Sequence, residues 1–197
     1  ATIFFLVPER AQSPSSRAGS APTLGRQIAE LKQIVVHPMF IRFVPLAVLT
    51  QSANLSMPTL WAGPWLADVA GLGREQTAAA LLLIATGLMA GFFSMGLIAE
   101  RLQRRGIDTA ATTVGFAVAY LLVQLVLIVG IVDAPRTLWM LFAFTGTTGS
   151  LSYAALSQQF PAALAGRVNT VLNLFVFMGA FAAQWGIGII INLWPVS

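Results

Sequence analysis

The sequence predicts an all-α protein, a polytopic transmembrane helical bundle with five spans. Three observations predict it. The 197 residues are 57% hydrophobic and only 9% charged, with a mean hydropathy of +0.79. A soluble domain carries roughly a quarter charged residues, because something polar must face water. So few charges cannot coat a water-soluble surface on a chain of this length. Five stretches are apolar and free of Asp, Glu, Lys and Arg in their interiors, and the charges gather in the connectors between them. A bilayer core about 30 Å thick needs about 20 such residues of helix, and helices satisfy every backbone group within the segment where water is absent.

The chain opens on Ile3-Phe4-Phe5-Leu6-Val7 and then reaches Pro8-Glu9-Arg10, without an initiator methionine or a basic n-region. Residues 1–7 read as the end of a preceding transmembrane helix, so the expectation is a fragment of a longer protein. Residues 8–42 form a polar connector. Its Ser/Pro-rich start cannot bury a core. Beyond it, Thr23 is placed to cap a short helix in which Leu24, Ile28, Leu31 and Val35 recur at helical spacing. That helix is predicted to be amphipathic and to lie at the membrane surface, with a solvated linker helix as the alternative.

Span a is predicted from Phe43 to Leu66, span b from Ala78 to Ala99 and span c from Thr109 to Val132. Span d follows from Leu138 to Ser157 and span e from Thr170 to Trp194. Lys and Arg in the connectors set orientation. Arg10, Arg17, Arg26, Lys32, Arg42, Arg101, Arg104, Arg105 and Arg167 fall in alternate connectors, whereas Arg74 and Arg136 fall in the other two, beside acids. The basic side is therefore expected in the cytoplasm. The net charge of +4 follows from topology and gives no reason to expect a nucleic-acid partner.

Cysteine is absent, which excludes disulfides and thiolate metal sites. His37 is the lone histidine and has no carboxylates beside it, so no metal and no cofactor are expected. An intramembrane serine protease would need a base for its nucleophile. Gly149-Ser150 has no His or Lys within any span to serve it, and an enzyme is not expected.

Spans b and e resemble one another. Gly87-Leu88-Met89-Ala90-Gly91 is matched by Gly179-Ala180-Phe181-Ala182-Ala183, and Gly96 by Gly188, each 92 residues on. The same offset lays span a near span d, with Gln51-Ser52-Ala53-Asn54 close to Gly146-Thr147-Thr148-Gly149. Because b and e run in opposite senses, the units 43–132 and 133–197 read as two inverted repeats, the first of three helices and the second incomplete. Glycine-rich composition alone is the competing explanation.

Local motifs carry a family resemblance. Gly96-Leu97-Ile98-Ala99-Glu100-Arg101-Leu102-Gln103-Arg104-Arg105-Gly106 resembles the cytoplasmic signature of the major facilitator superfamily. It departs in having Glu100 where Asp is commoner and Gly106 after the basic pair. Val7-Pro8-Glu9-Arg10 looks like the exit of that family's sixth helix, and Phe160-Pro161 with Gly166-Arg167 resembles its connector between the tenth and eleventh. The resemblance implies five spans of a six-helix half built from inverted three-helix repeats. It further implies a multi-pass cell-membrane protein, of the bacterial inner-membrane kind. Its expected partners are the lipid bilayer, a missing N-terminal half and a small-molecule solute carried by alternating access. Gly96, Glu100, Arg101, Arg104 and Arg105 would form a conformational latch at the cytoplasmic surface, or anchor the helix end there.

Solute sites in such proteins lie near the midplane, among polar groups and broken helices. Gln51 and Asn54 stand in the middle of span a beside Ser52, Ser56 and Thr59. Pro58 removes a backbone donor there and is a candidate gating hinge. Trp61 and Trp65 follow, for a gate or for the interfacial belt. Thr148 and Tyr153 on span d, and Asn173 and Gln184 on span e, complete the candidate cavity lining. Hydroxyls and small residues also serve plain helix packing. Gln124 on span c is assigned to packing. The alternative function is a channel or membrane assembly subunit, with Gly87 and Gly91 as an oligomer face.

Overall fold

The computed structural model describes residues 24–131 and 133–193. The expected helix end at 1–7, the Ser/Pro-rich linker with Arg10 and Arg17, Thr23, and the end of span e at Trp194 lie outside the described residues. The described residues hold helices and no strand. Helix α1 is Leu24–Val35. Helix α2 is the helical run Pro38–Val69, α3 is Arg74–Arg104, α4 is Thr109–Val129, α5 is Pro135–Gly146, α6 is Gly149–Ser157 and α7 is Ala162–Asn192. Three of them, α3, α4 and α7, are long and apolar enough to cross a membrane; α1 and α2, bent by 73° to each other, make a fourth if taken as one span. These helices fit a membrane-embedded protein. Phe93 and Ile128 are 77% and 80% exposed, as side chains facing lipid tails would be.

Local chemistry sets the helix ends. His37 caps α2 by accepting the Met39 N–H at Nδ1, 3.3 Å away, and Pro38 supplies a first residue whose missing N–H has no helical role. The His37 ring packs on Phe160 at 4.6 Å, a structural role for the lone imidazole. Asp108 caps α4 by accepting the Ala111 N–H at 2.6 Å. Gly130 closes α4 with φ of 67°, a left-handed conformation that glycine adopts without steric cost.

Several boundaries differ from the sequence reading. The helix of span b runs past Ala99. Helix α3 continues through Glu100, Arg101 and Arg104, since Glu, Arg, Leu and Gln are all good helix formers. The residues expected in the connector after span b are therefore a helical extension of it. Likewise α7 begins at Ala162, eight residues before the predicted start of span e, and takes in Arg167. Span d is broken in two: α5 stops at Gly146 and α6 restarts at Gly149. Thr148, Ser150 and Leu151 donate backbone N–H groups to carbonyls three residues back. The hydroxyls of Thr147, Thr148 and Ser150 also bond nearby carbonyls. Glycine's low helix propensity together with this hydroxyl competition accounts for the interruption.

Helix α2 is deformed where prolines remove donors. Residues Met57–Trp61 and Trp65–Val69 are π-helical, with Ala62 N–H bonded to the Met57 carbonyl and Ala70 N–H to that of Trp65. Pro58 and Pro64 cannot supply the ordinary bonds to residues four back, and the chain rebonds with a wider turn.

The bundle is layered along its long axis. At the end carrying the basic connectors, Ile34, Phe40, Val44, Leu156, Phe160, Val168 and Leu172 form one apolar cluster. At the other end Leu66, Ile84, Tyr120, Trp139 and Phe142 form a second. Between them lies a waist whose buried residues include Thr50, Ser52, Asn54, Ser56, Thr145, Thr147, Thr148 and Ser152. Helix α1 docks through buried Ile34, while its predicted apolar stripe of Leu24, Ile28, Leu31 and Val35 is exposed.

Candidate functional site

The polar waist is where α2 crosses the break between α5 and α6. Two amides of α2 lie directly on the two glycines that flank the break. A Cβ added to Gly146 would collide with Asn54 Oδ1, and one added to Gly149 would collide with Gln51 Oε1. Only glycine allows this approach, so the residues that end and restart the helix also seat its partner. Asn54 is buried and its Oδ1 has no hydrogen-bond partner. Such an acceptor costs about 1–3 kcal/mol when sealed from donors. One turn beyond Gly149, the Tyr153 hydroxyl donates to Asn173 Oδ1 at 2.9 Å, tying α6 to α7. The structure thus brings Gln51 and Asn54 to the break beside Thr148, whereas Tyr153 packs against the apolar cluster at the basic end and meets the exposed Asn173 there. Thr148 is 3% exposed and its hydroxyl donates to the Thr145 carbonyl at 2.6 Å, so its hydrogen is engaged by its own chain segment.

Ser52 and Ser56 point the other way. Their hydroxyls donate to the Val176 and Ala180 carbonyls of α7 at 3.0 and 3.2 Å. Gly179 lies between those acceptors, and a Cβ there would come within 2.5 Å of Ser52 Oγ and 2.7 Å of Val48. These two serines fasten α2 to α7. Gln184 is half-buried on α7, about 16 Å along the axis from Asn173 at 1.5 Å per residue, and does not join the waist cluster.

Helix α3 is fastened in the same manner to α5. A Cβ on Gly87 would approach the Met140 carbonyl to 2.7 Å, and one on Gly91 would meet Thr147 Oγ1 at 2.6 Å. The GxxxG face of span b is therefore occupied within the chain.

Trp61 occupies a separate place. A cavity of about 410 Å³ opens between the end of α2, the end of α4 and the start of α5. Met57, Trp61 and Trp65 form one wall, Gln124 another, and Trp139 with Phe142 the third. Trp65 meets Trp139 edge-on at 5.7 Å, and Trp139 lies 5.3 Å from Phe142. Gln124 lines this cavity rather than a helix interface. The indole N–H groups of Trp61 and Trp139 are sealed from solvent without an acceptor.

Among the gating candidates, Pro58 lies in the first π-helical segment. Gly96 is exposed with no neighbour near its Cα. Glu100 and Arg104 form a 2.7 Å ion pair one turn apart on α3, both exposed, and Arg101 and Arg105 are exposed beside them. That pair closes within one helix. Among the described residues, the ion pair that joins separate elements is Glu30 of α1 with Arg167 of α7, with Arg26 also 3.2 Å from Glu30. Sequence reasoning missed this pairing, although Glu30 is the sole acid between residues 24 and 42. It missed Trp139 too, and the seating role of Gly146 and Gly149, for which the Thr145-Gly146-Thr147-Thr148-Gly149 run was the available signal.

Among the described residues no group of three His, Asp or Glu side chains comes together to hold a metal ion. The site is an arrangement of amides, hydroxyls and aromatic rings that can bind by hydrogen bonding and ring contact. No protein-family model, curated protein or solved structure matches the chain.

Proposed function

We propose that this chain supplies five spans of one six-helix half of a secondary transporter of the major facilitator type, resident in a cell membrane, moving a small solute by alternating access. In this reading α5 and α6 together make the fourth span, and α1 is the surface helix of the central connector.

The observation that carries the reading is a reciprocity of contacts. Gly87 of α3 meets Met140 of α5, while Gly179 of α7 meets Val48 of α2. Gly87 and Gly179 are 92 positions apart, and so are Val48 and Met140. The second helix of each unit docks on the first helix of the other, at equivalent residues. Asn54 and Gly146, in direct contact, are also 92 positions apart. Contact between a residue and its own counterpart is what a local two-fold axis produces, the internal equivalent of an isologous interface. Two units of opposite orientation joined on such an axis are the inverted repeat that underlies rocking transporters.

The waist suits a solute path. It combines a broken helix with uncharged polar side chains at mid-depth, which in a membrane are stable only against protein or a wet cavity. Gln51, Tyr153 and Asn173 are the residues assigned to solute contact, with Pro58 and the π-helical turns as the place where α2 bends. Any coupling charge belongs to the other half of the transporter. The channel or assembly reading loses its main support, because Gly87 and Gly91 are already packed against α5.

Alternating exposure tests the proposal. The chain has no cysteine, so thiols placed singly along residues 49–60 are the only ones in this segment. In sealed vesicles holding the full-length protein, a membrane-impermeant maleimide should label positions around Gln51 and Leu55 from one side. Added solute should shift that labelling to the opposite side. Labelling that stays blocked from both faces under every condition, in protein that transports, would remove α2 from the path.

A further inference from the structure

The aromatic cavity is unlike the rest of the bundle, and its chemistry selects an occupant. Its α2 wall is a stripe at four-residue intervals, Met57, Trp61, Trp65 and Val69. In an α-helix a residue four positions on is rotated by about 40°, and such a stripe drifts off the face. The wider π-helical turns at Met57–Trp61 and Trp65–Val69 rotate it back, so the four side chains stay on one line. Pro58 and Pro64 are what impose those turns. The backbone distortion thus aims two tryptophans into one cavity, a frequent use of π-helical turns at binding sites.

Trp61 and Trp139 present carbon surface there. The N–H groups of Trp61 and Trp139 are sealed away from solvent, so they cannot donate to an occupant. Indole faces attract cations through the ring quadrupole, tryptophan most strongly. A second cavity of about 370 Å³ shares Trp65, Val69, Leu127 and Gly130 with the first and adds Asp133, which is exposed at the connector before α5. No Lys or Arg lines either cavity. Arg136, three residues beyond Asp133, is exposed and outside both linings. An anion in the cleft would be repelled by Asp133, and a cation attracted to it.

The geometry points to a binding site for an amphipathic organic cation, a quaternary or protonated centre carrying aromatic or bulky alkyl groups, held between Trp61, Trp65, Trp139 and Phe142 with Asp133 in the lining of the adjoining cavity. The cavity volume falls within the range that encloses a small organic molecule. Gln124, half-buried, is the one polar amide side chain in that lining. This site stands at the end of the bundle remote from the basic connectors and apart from the waist, and binding there requires no transport.

Binding of tetraphenylphosphonium and tetraphenylborate, matched in shape and opposite in charge, to the purified full-length protein in detergent tests this. Equilibrium dialysis should show saturable one-to-one binding of the phosphonium and no saturable binding of the borate. Trp65→Leu should weaken the phosphonium about tenfold. Asp133→Asn, which lies in an exposed connector and leaves the helix packing intact, should weaken it several-fold. Phe93→Leu, on the exposed face of α3, should leave it unchanged. Saturable borate binding of equal strength, phosphonium binding indifferent to both Trp65→Leu and Asp133→Asn, or no saturable phosphonium binding would each overturn the assignment. Because binding alone is measured, these outcomes are separate from the fate of the alternating-exposure test.

Discussion

The side chain of Asn54 rests on Gly146, the residue 92 positions further along the chain, at the point where the fourth apolar segment is interrupted. A methyl group at Gly146 has no room, since its neighbour is a buried amide held in a helix. Gly146→Ala is therefore expected to destabilise the protein by about 1–3 kcal/mol through overpacking. Combining it with Asn54→Ala, which empties the space, should recover part of the loss. Thermal unfolding in detergent reads both. Gly188→Ala is the contrast: nothing lies near that position, and alanine in an open helical site should be neutral or stabilising by up to about 1 kcal/mol.

The hydrogen bonds from Ser52 and Ser56 to the Val176 and Ala180 carbonyls are the main polar link between α2 and α7. Interhelical bonds of this kind average about 0.6 kcal/mol and reach about 1.7. Ser52→Ala and Ser56→Ala should each lower stability by that order, and the double variant should cost about the sum. A bulky Gly179→Leu should cost much more, because it forces the two helices apart. Losses as small for Gly179→Leu as for the serines would contradict the close approach.

Glu30 and Arg167 join the connector helix to the bundle. Charge reversal at either one, Glu30→Arg or Arg167→Glu, should loosen α1, detected as faster proteolysis between residues 24 and 37 or as a longer spin-label distance to α7. The double reversal should restore the docked state. Because both side chains are partly exposed, the pair is worth about 1 kcal/mol, and high salt should weaken it. Ile34→Ala, removing the one fully buried side chain of α1, should loosen the helix irrespective of salt.

Gly87 and Gly91 give a prediction that separates internal packing from assembly. Gly91→Leu would place its side chain against Thr147 and the Phe144 carbonyl. Loss of folded, monodisperse protein is expected, at unchanged stoichiometry in what remains. A stable variant whose only change is a smaller oligomer would place that face between subunits instead.

The apolar helices were legible in the sequence because lipid imposes a local rule. A segment that crosses hydrocarbon must be long, apolar and internally bonded, and each stretch declares this by itself. Part of the polar waist was visible for the same reason: Gln51 and Asn54 stand out among residues of the opposite kind. What tertiary structure alone decided is which face meets which. Apolar spans lack the periodicity that separates core from solvent in a soluble helix, so sequence could not tell the serines that fasten α2 to α7 from amides that line the waist. Nor could it tell that Trp61 leaves Asn54 and joins Trp65, Trp139 and Phe142. Those outcomes rest on how closely backbones approach at Gly87, Gly146, Gly149 and Gly179, and on the extra residue that the prolines force into the turns of α2. Steric fit between distant segments settles both, and no single segment carries that information.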